Sequence, residues 1–475
     1  MRNKILYIYL LFATSVSAGC KKLAQVDGPV TSLNSTNVYS SDATAIAAVT
    51  GIYSSISNNG PYNAELDGMS GLAGLSADEL TLYPGVSGTA LNLYYTNALT
   101  NNDNQQDFWL NVYPLIYIEN AAIEGLTGAT SLTPAVRQQL LGEARFDRAF
   151  CYFYLVNLYG DVPLVLTSNY SINATLARTP ATQVWQQIVD DLHDAESLLS
   201  ANYLDGTLLQ TATDRVRPTK WAAIAMLARA YLYTGNWTGA DSAASVVIGN
   251  SQYSLTALDS VFLENSNEAI WQLEPVTSNG FDTEDAFSFI LPSSGPDNYQ
   301  HFAYLNNTLV NAFEANDQRR QIWVDSVIAN STVYYFPFKY QNASNGAQFT
   351  EYTMVLRLAE QFLIRAEAEV QLNNLAMAIN DLNAIRQRAN LAGTNATTPQ
   401  DILNAILRER RVELFTEWGH RWLDMKRTPG MVDLVMGTDS ACAQKGGIWN
   451  TNWQWYPIPL TELQADPNLI QNNGY

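Results

Sequence analysis

Cysteine is nearly absent: the chain has three in 475 residues, Cys20, Cys151 and Cys442, and no CxxC pair. This excludes a disulfide scaffold and a structural zinc site. Histidine is as scarce, and His193, His301 and His420 have no ligand-like spacing. Positive charge is short, with 26 Lys and Arg against 45 Asp and Glu for a formal charge of −19. Such a chain repels nucleic acid and anionic lipid surfaces. There is no P-loop, no GxSxG elbow and no dinucleotide fingerprint. Beyond the first residues, no apolar run is long enough to cross a bilayer. What the chain has in quantity is apolar and aromatic matter: 47% hydrophobic residues, with 26 Tyr, 16 Phe and 11 Trp. A chain of this length fills two or three packed subregions.

The N-terminus reads as a targeting segment. Arg2 and Lys4 precede an apolar run, ILYIYLLFATSV, that ends at Val16. Ser17, Ala18 and Gly19 then lead into Cys20, which resembles a lipobox with cleavage before the cysteine and acylation of its thiol. Residues 1–19 are then a lipoprotein signal and 20–40 a lipidated tether. An ordinary secretory signal is the alternative. Cys151 lies in the aromatic run FDRAFCYFYLVNLY, where a buried free thiol is expected. A Cys151–Cys442 bridge in an oxidising compartment is the other reading.

Helices come in pairs. Ser41 caps a run with Ile46, Val49, Tyr53 and Ile56 on one face. A second run from Asp107 to Leu126 carries Trp109, Val112, Tyr113, Ile116 and Ile123. Thr133-Pro134 opens a helix that stops at Gly160, and Thr179-Pro180 opens another. Residues 219–234 end at Gly235-Asn236, and Trp237 to Ile248 return as their partner. Residues 353–372 turn at Asn373-Asn374 into 375–391. The last two pairs are alike: ARAYLYTGNWTGADSAASVVI aligns with AEAEVQLNNLAMAINDLNAIR. Small residues let paired helices approach, and each pair buries its apolar face only against its neighbours. The expected fold is therefore all-α, a tetratricopeptide-like α-α superhelical scaffold. Residues 57–106 and 251–350 are rich in Gly, Asn, Ser, Thr, Tyr and Pro, and read as irregular loop lobes carrying minor β structure. They divide the chain into 41–250, the lobe 251–350 and a helical region with its tail, 351–475.

Several motifs resemble those of the SusD/RagB family. CKKLAQVDGP resembles the family's mature start, and DFWLNVYPLIYIENAAIEGL its first long helix. LLGEARFDRAFCYFYLVNLYGDVPLVL, TKWAAIAMLARAYLYTGNWTGA, LRLAEQFLIRAEAEVQ and LRERRVELFTEWGHRWLDMKR resemble its central runs. YPIPLTELQADPNLIQNNGY is similar to its tail. The resemblance implies a surface-exposed outer-membrane lipoprotein of the Bacteroidota, and a nutrient-binding subunit rather than an enzyme. It further implies a SusC-like TonB-dependent transporter as partner and an oligosaccharide as cargo. RagB-like relatives take peptides, which keeps a peptide ligand open; a glycosidase and a bare assembly scaffold are weaker alternatives.

Glycan recognition needs flat aromatic faces for the apolar sides of sugar rings, with amides and carboxylates for the hydroxyls. The first lobe offers Tyr83, Tyr94, Tyr95, Asn101 and Asp103. The second offers Phe281, Tyr299, His301, Phe302 and Tyr304. NNDNQQD at 101–107 is rich in oxygen donors, but it lacks the glycine and terminal glutamate of an EF-hand, so calcium has no support and no cofactor is expected. Glu409, Glu413, Glu417 and Arg421 are four apart and are expected to share one helix face. A glycosidase acid requires an apolar pocket or an unpaired like charge. Arginine neighbours argue instead for a structural ion-pair network, with Glu143, Arg145 and Arg148 tying their helix to its neighbours.

Overall fold

The computed structural model describes residues 38–57, 68–86, 90–102, 107–275, 282–343 and 349–475. Cys20 and the tether before residue 38, together with Asp103 and Phe281, lie outside the described residues. The helices of eight residues or more are α1 (Asp42–Ser57), α2 (Met69–Ser76), α3 (Asp107–Gly128), α4 (Pro134–Tyr159), α5 (Ala181–Leu198) and α6 (Lys220–Thr234). They continue with α7 (Trp237–Ile248), α8 (Leu358–Gln371), α9 (Leu375–Arg388), α10 (Pro399–Glu413) and α11 (His420–Arg427).

Helices α3 to α10 stack each on the next, as a solenoid of helix pairs must when no pair buries its own apolar face. The stack passes directly from α7 to α8, so the described residues between them are an excursion from a continuous frame. Alanines set the closeness of that joint. Ala228, Ala240, Ala244 and Ala368 are fully buried around Leu232 and Ile364. Helix ends follow local chemistry. Gly160 and Gly235 adopt positive φ after α4 and α6, a conformation that costs glycine nothing. Asn236 accepts from the Gly239 N–H to cap α7.

Among the described residues, six short strands form three antiparallel pairs: β1 (Leu80–Leu82) with β3 (Ala303–Leu305), β2 (Ala269–Leu273) with β6 (Thr353–Arg357), and β4 (Val324–Ala329) with β5 (Thr332–Pro337). Residues 353–372 are therefore not one helix. The first five are β6, paired with a strand about eighty residues earlier, and the helix starts at Leu358. The first lobe also holds an unexpected helix, α2, all of whose residues are buried. The core centres on α4. Phe150 packs edge-on against Trp271 of β2 at 5.4 Å and Trp418 at 5.5 Å, joining frame, lobe and C-terminal region.

Buried ion pairs knit these parts together. Glu413 accepts from Arg319 at 2.9 Å and Arg357 at 2.6 Å, and also pairs with Arg388. Burial acts to raise the Glu413 carboxyl, but the guanidiniums of Arg388, Arg357 and Arg319 outweigh it and hold the group well below the usual carboxylate range. Glu417 bonds Arg357 and Lys339, and Asp424 bonds Arg410. Arg148 forks onto Asp191 of α5, which Arg145 also meets, and Arg217 reaches Glu143 at 2.7 Å. The four-residue spacing does not place Glu409, Glu413, Glu417 and Arg421 on one helix face. Helix α10 ends at Glu413, and Thr416, Trp418 and Gly419 take positive φ before α11. Arg421 consequently turns to Asp78 at the foot of β1, at 2.7 Å. Cys151 and Cys442 are separate, buried free thiols.

Candidate functional site

The β1–β3 ladder brings the two lobes together. Thr81 faces Tyr304 across it, Leu82 faces Ala303, and the Tyr83 N–H donates to the Phe302 carbonyl at 2.8 Å. Strand alternation buries Leu80, Leu82, Ala303 and Leu305 below, and leaves Thr81 and Tyr304 half-exposed above. Tyr95, at the end of the short helix Ala90–Tyr95, lies close to Thr81 and Tyr304. Tyr304 in turn meets Tyr334 of β5 edge to face, with centroids 5.0 Å apart. The half-buried Tyr83 flanks Gly85, where a Cβ would come within 3.0 Å of the tyrosine ring and 3.5 Å of Asn298.

The loop carrying Tyr299 is held rigidly. Asp297 accepts from the N–H groups of Tyr299, Gln300 and His301 at 2.8, 2.7 and 3.1 Å. Partial burial works against ionisation, yet these bonds keep the Asp297 carboxyl below its ordinary range. Gly295 has φ of +82°, and a Cβ there would lie 2.8 Å from Ala329. The result is a fixed loop that displays Tyr299 with 85% of its surface exposed. His301 sits at its base with Nδ1 3.8 Å from Asp297, and burial lowers its pKa, favouring the neutral ring. Burial raises the phenols of Tyr95 and Tyr304, which therefore act as neutral donors and acceptors.

Of the residues singled out in the sequence, the structure thus brings Tyr95 close to Tyr304, sets Tyr83 at the end of the same ladder, and carries Tyr299 and His301 on the loop that leads into β3. It removes two others from the surface. Tyr94 is 2% exposed because it shares the inner side of its short helix with Leu91, and it packs on Tyr456. Phe302 is 1% exposed, in the core beneath the ladder. Asn101 is anchored elsewhere, its carbonyl accepting from the Leu460 N–H at 2.8 Å. Tyr334 was not anticipated. Its place in the strand TVYYFP was readable, but its nearness to Tyr304 depends on packing between β3 and β5. Among the described residues there is no cluster of His, Cys, Asp and Glu able to hold a metal, and no helix long and apolar enough to cross a membrane.

Comparison with known proteins agrees with this architecture. Residues 324–475 match the family described as the SusD family, and residues 85–232 match "Starch-binding associating with outer membrane". A SusD-like protein P25 from Formosa agariphila is 26% identical, with 100% of this chain and 99% of that protein aligned. The starch-binding protein SusD of Bacteroides thetaiotaomicron is 23% identical over 74% of each chain. A solved laminarin-binding SusD-like protein superposes with a TM-score of 0.75 at 22% identity, covering 91% of this chain and 99% of that one. The chain belongs to the SusD/RagB family, and its fold is that family's all-α, tetratricopeptide-like scaffold.

Proposed function

We propose that this protein is a glycan-binding lipoprotein of the outer membrane, whose tyrosine face captures an oligosaccharide or polysaccharide for a SusC-like TonB-dependent transporter. The observation that carries this reading is the β1–β3 ladder, which pairs strands from two lobes more than two hundred residues apart in sequence and leaves Tyr304 half-exposed on it. Tyrosine rings offer apolar faces to pyranose rings, and their hydroxyls with Thr81 and Asn298 offer partners for sugar hydroxyls. The likeness to a starch-binding and a laminarin-binding relative supports a neutral glycan. Acylated Cys20 holds the chain to the membrane on the extracellular side, and the transporter supplies the energy step. The protein binds and does not catalyse: Glu413 and Glu417, the carboxylates that a glycosidase reading would use, are paired with arginines, which keeps them ionised and unfit as general acids.

The test is affinity electrophoresis of residues 21–475 without the lipidated cysteine, in gels cast with laminarin, starch, xylan or galactomannan. One of these polymers should retard the chain, and Tyr299→Ala with Tyr304→Ala should remove most of that retardation. Release of reducing sugar would make it an enzyme, and indifference to every polymer would turn the reading to peptides.

A further inference from the structure

A second aromatic groove lies on the frame and shares no residue with the tyrosine face. It is a cleft of about 480 Å³ between the outer side of α3, the segment 163–176 and the terminal helix Leu460–Ala465. That volume falls within the roughly 300–1,000 Å³ usual for small-ligand clefts. Trp109, Tyr113 and Tyr117 line one wall at four-residue intervals, so they stand along one side of the helix. Pro114 interrupts this helix surface and also lines the cleft. Tyr170 of the segment 163–176 lines the cleft as well, and so do Glu462 and Asp466 of the C-terminal tail.

The groove is built rather than incidental. The Tyr113 hydroxyl donates to the Pro163 carbonyl at 2.9 Å, fixing its ring. Glu124 accepts from the Ser168 N–H at 2.9 Å and the Thr167 hydroxyl at 2.8 Å, and also bonds the Ser168 hydroxyl. Asn169 then caps the single turn Tyr170–Asn173 through the Ser171 N–H. The tail is tied to the same segment, Asn468 donating to the Thr175 carbonyl at 3.0 Å. On this pinned frame Tyr117 is 50% exposed and Tyr170 78% exposed. Neither ring supports the core, yet the backbone beneath each is held in place.

We infer that this groove is a second carbohydrate subsite, which takes a short uncharged stretch of glycan stacked between Tyr117 and Tyr170. Stacked phenol rings suit the apolar face of a pyranose, and the carboxylates of Glu462 and Asp466 accept its hydroxyls. The lining contains carboxylates and no lysine or arginine, so uronates and sulfated sugars are repelled. A protein holding two separate subsites on one polymer gains avidity without any new contact at the first.

The test uses residues 21–475 with laminarin, starch, xylan and galactomannan gels, and four proteins: wild type, Tyr117→Ala/Tyr170→Ala, Tyr299→Ala/Tyr304→Ala, and the quadruple variant. Both groove rings are exposed, so their removal leaves the core intact; circular dichroism and melting temperature check this. For a polymer that retards wild type, the groove variant should bind at least about fivefold more weakly. The lobe variant should keep a residual retardation that the quadruple variant lacks. Retardation of the groove variant equal to wild type overturns the subsite while leaving lobe capture standing, and a simultaneous loss of association with the transporter would reassign the groove to a protein contact. An effect of the groove pair with none from the lobe pair upholds the subsite and sinks the lobe reading instead. Absence of binding by wild type to all four polymers rejects it.

Discussion

Glu413 is fully buried among Arg319, Arg357 and Arg388, with Glu268 bonded to Arg357 and Arg388 as well. A buried pair is costly to assemble, but removing one partner costs more, because the charges left behind have no water. Glu413→Gln should therefore destabilise the protein by about 3–5 kcal/mol, read as a lower denaturant midpoint in equilibrium unfolding. The sign with pH follows from the depressed pKa. The carboxylate's contribution is complete above its unfolded value near 4.3 and fades as pH falls toward the folded one. Glu119 behaves oppositely. Burial, opposed only in part by the Cys151 thiol at 3.3 Å and by Arg148, pushes it up to about 8. The folded protein then keeps a proton that the unfolded chain releases, so stability declines from about pH 4.5 to 8, by up to about 1.4 kcal/mol per pH unit for this group. Glu119→Gln keeps the shape and should flatten that decline in unfolding curves recorded across this range. An unchanged slope would show that Glu119 does not hold the proton.

Among the elements, long amphipathic helices were legible and the lobes were not. The bounds of α7 and the stop of α4 at Gly160 follow from caps and apolar spacing alone. The strand TMVLR was read as helix because five apolar-rich residues fit either period, and its partner AIWQL is too remote for local pattern to find. The break after Glu413 was hidden for a similar reason, since Thr416 and Trp418 at positive φ are held there by their surroundings rather than by local preference. The candidate site was half legible. Tyrosine enrichment marked the lobes, but strand pairing and helix facing decided that Tyr304 and Tyr95 emerge while Phe302 and Tyr94 do not. Gly295 makes the loop's geometry testable. Gly295→Ala meets both a strained φ of +82° and the Ala329 methyl at 2.8 Å, so the loop must shift. It should lower affinity for the retarding polysaccharide several-fold while changing the melting temperature by only a few degrees; unchanged affinity would show that the Tyr299 loop takes no part.

At the scale of the molecule, the frame passes directly from α7 to α8, and the described residues between them build the second lobe. The β1–β3 ladder fastens that lobe to the first one, and Arg421 and Arg411 fasten the ladder's base through Asp78. The net charge of −19 disfavours acidic ligands at a distance without helping neutral ones. The central claim is that both lobes make one ligand surface. The direct measurement is titration calorimetry of the retarding polysaccharide with wild type, Tyr95→Ala, Tyr304→Ala and the double variant. Each single substitution, one per lobe, should weaken binding by about 1 kcal/mol or more, with the double variant departing from additivity because the residues are neighbours. Loss of binding through one tyrosine, with the other replaceable at no cost, would contradict a shared surface and confine the site to a single lobe.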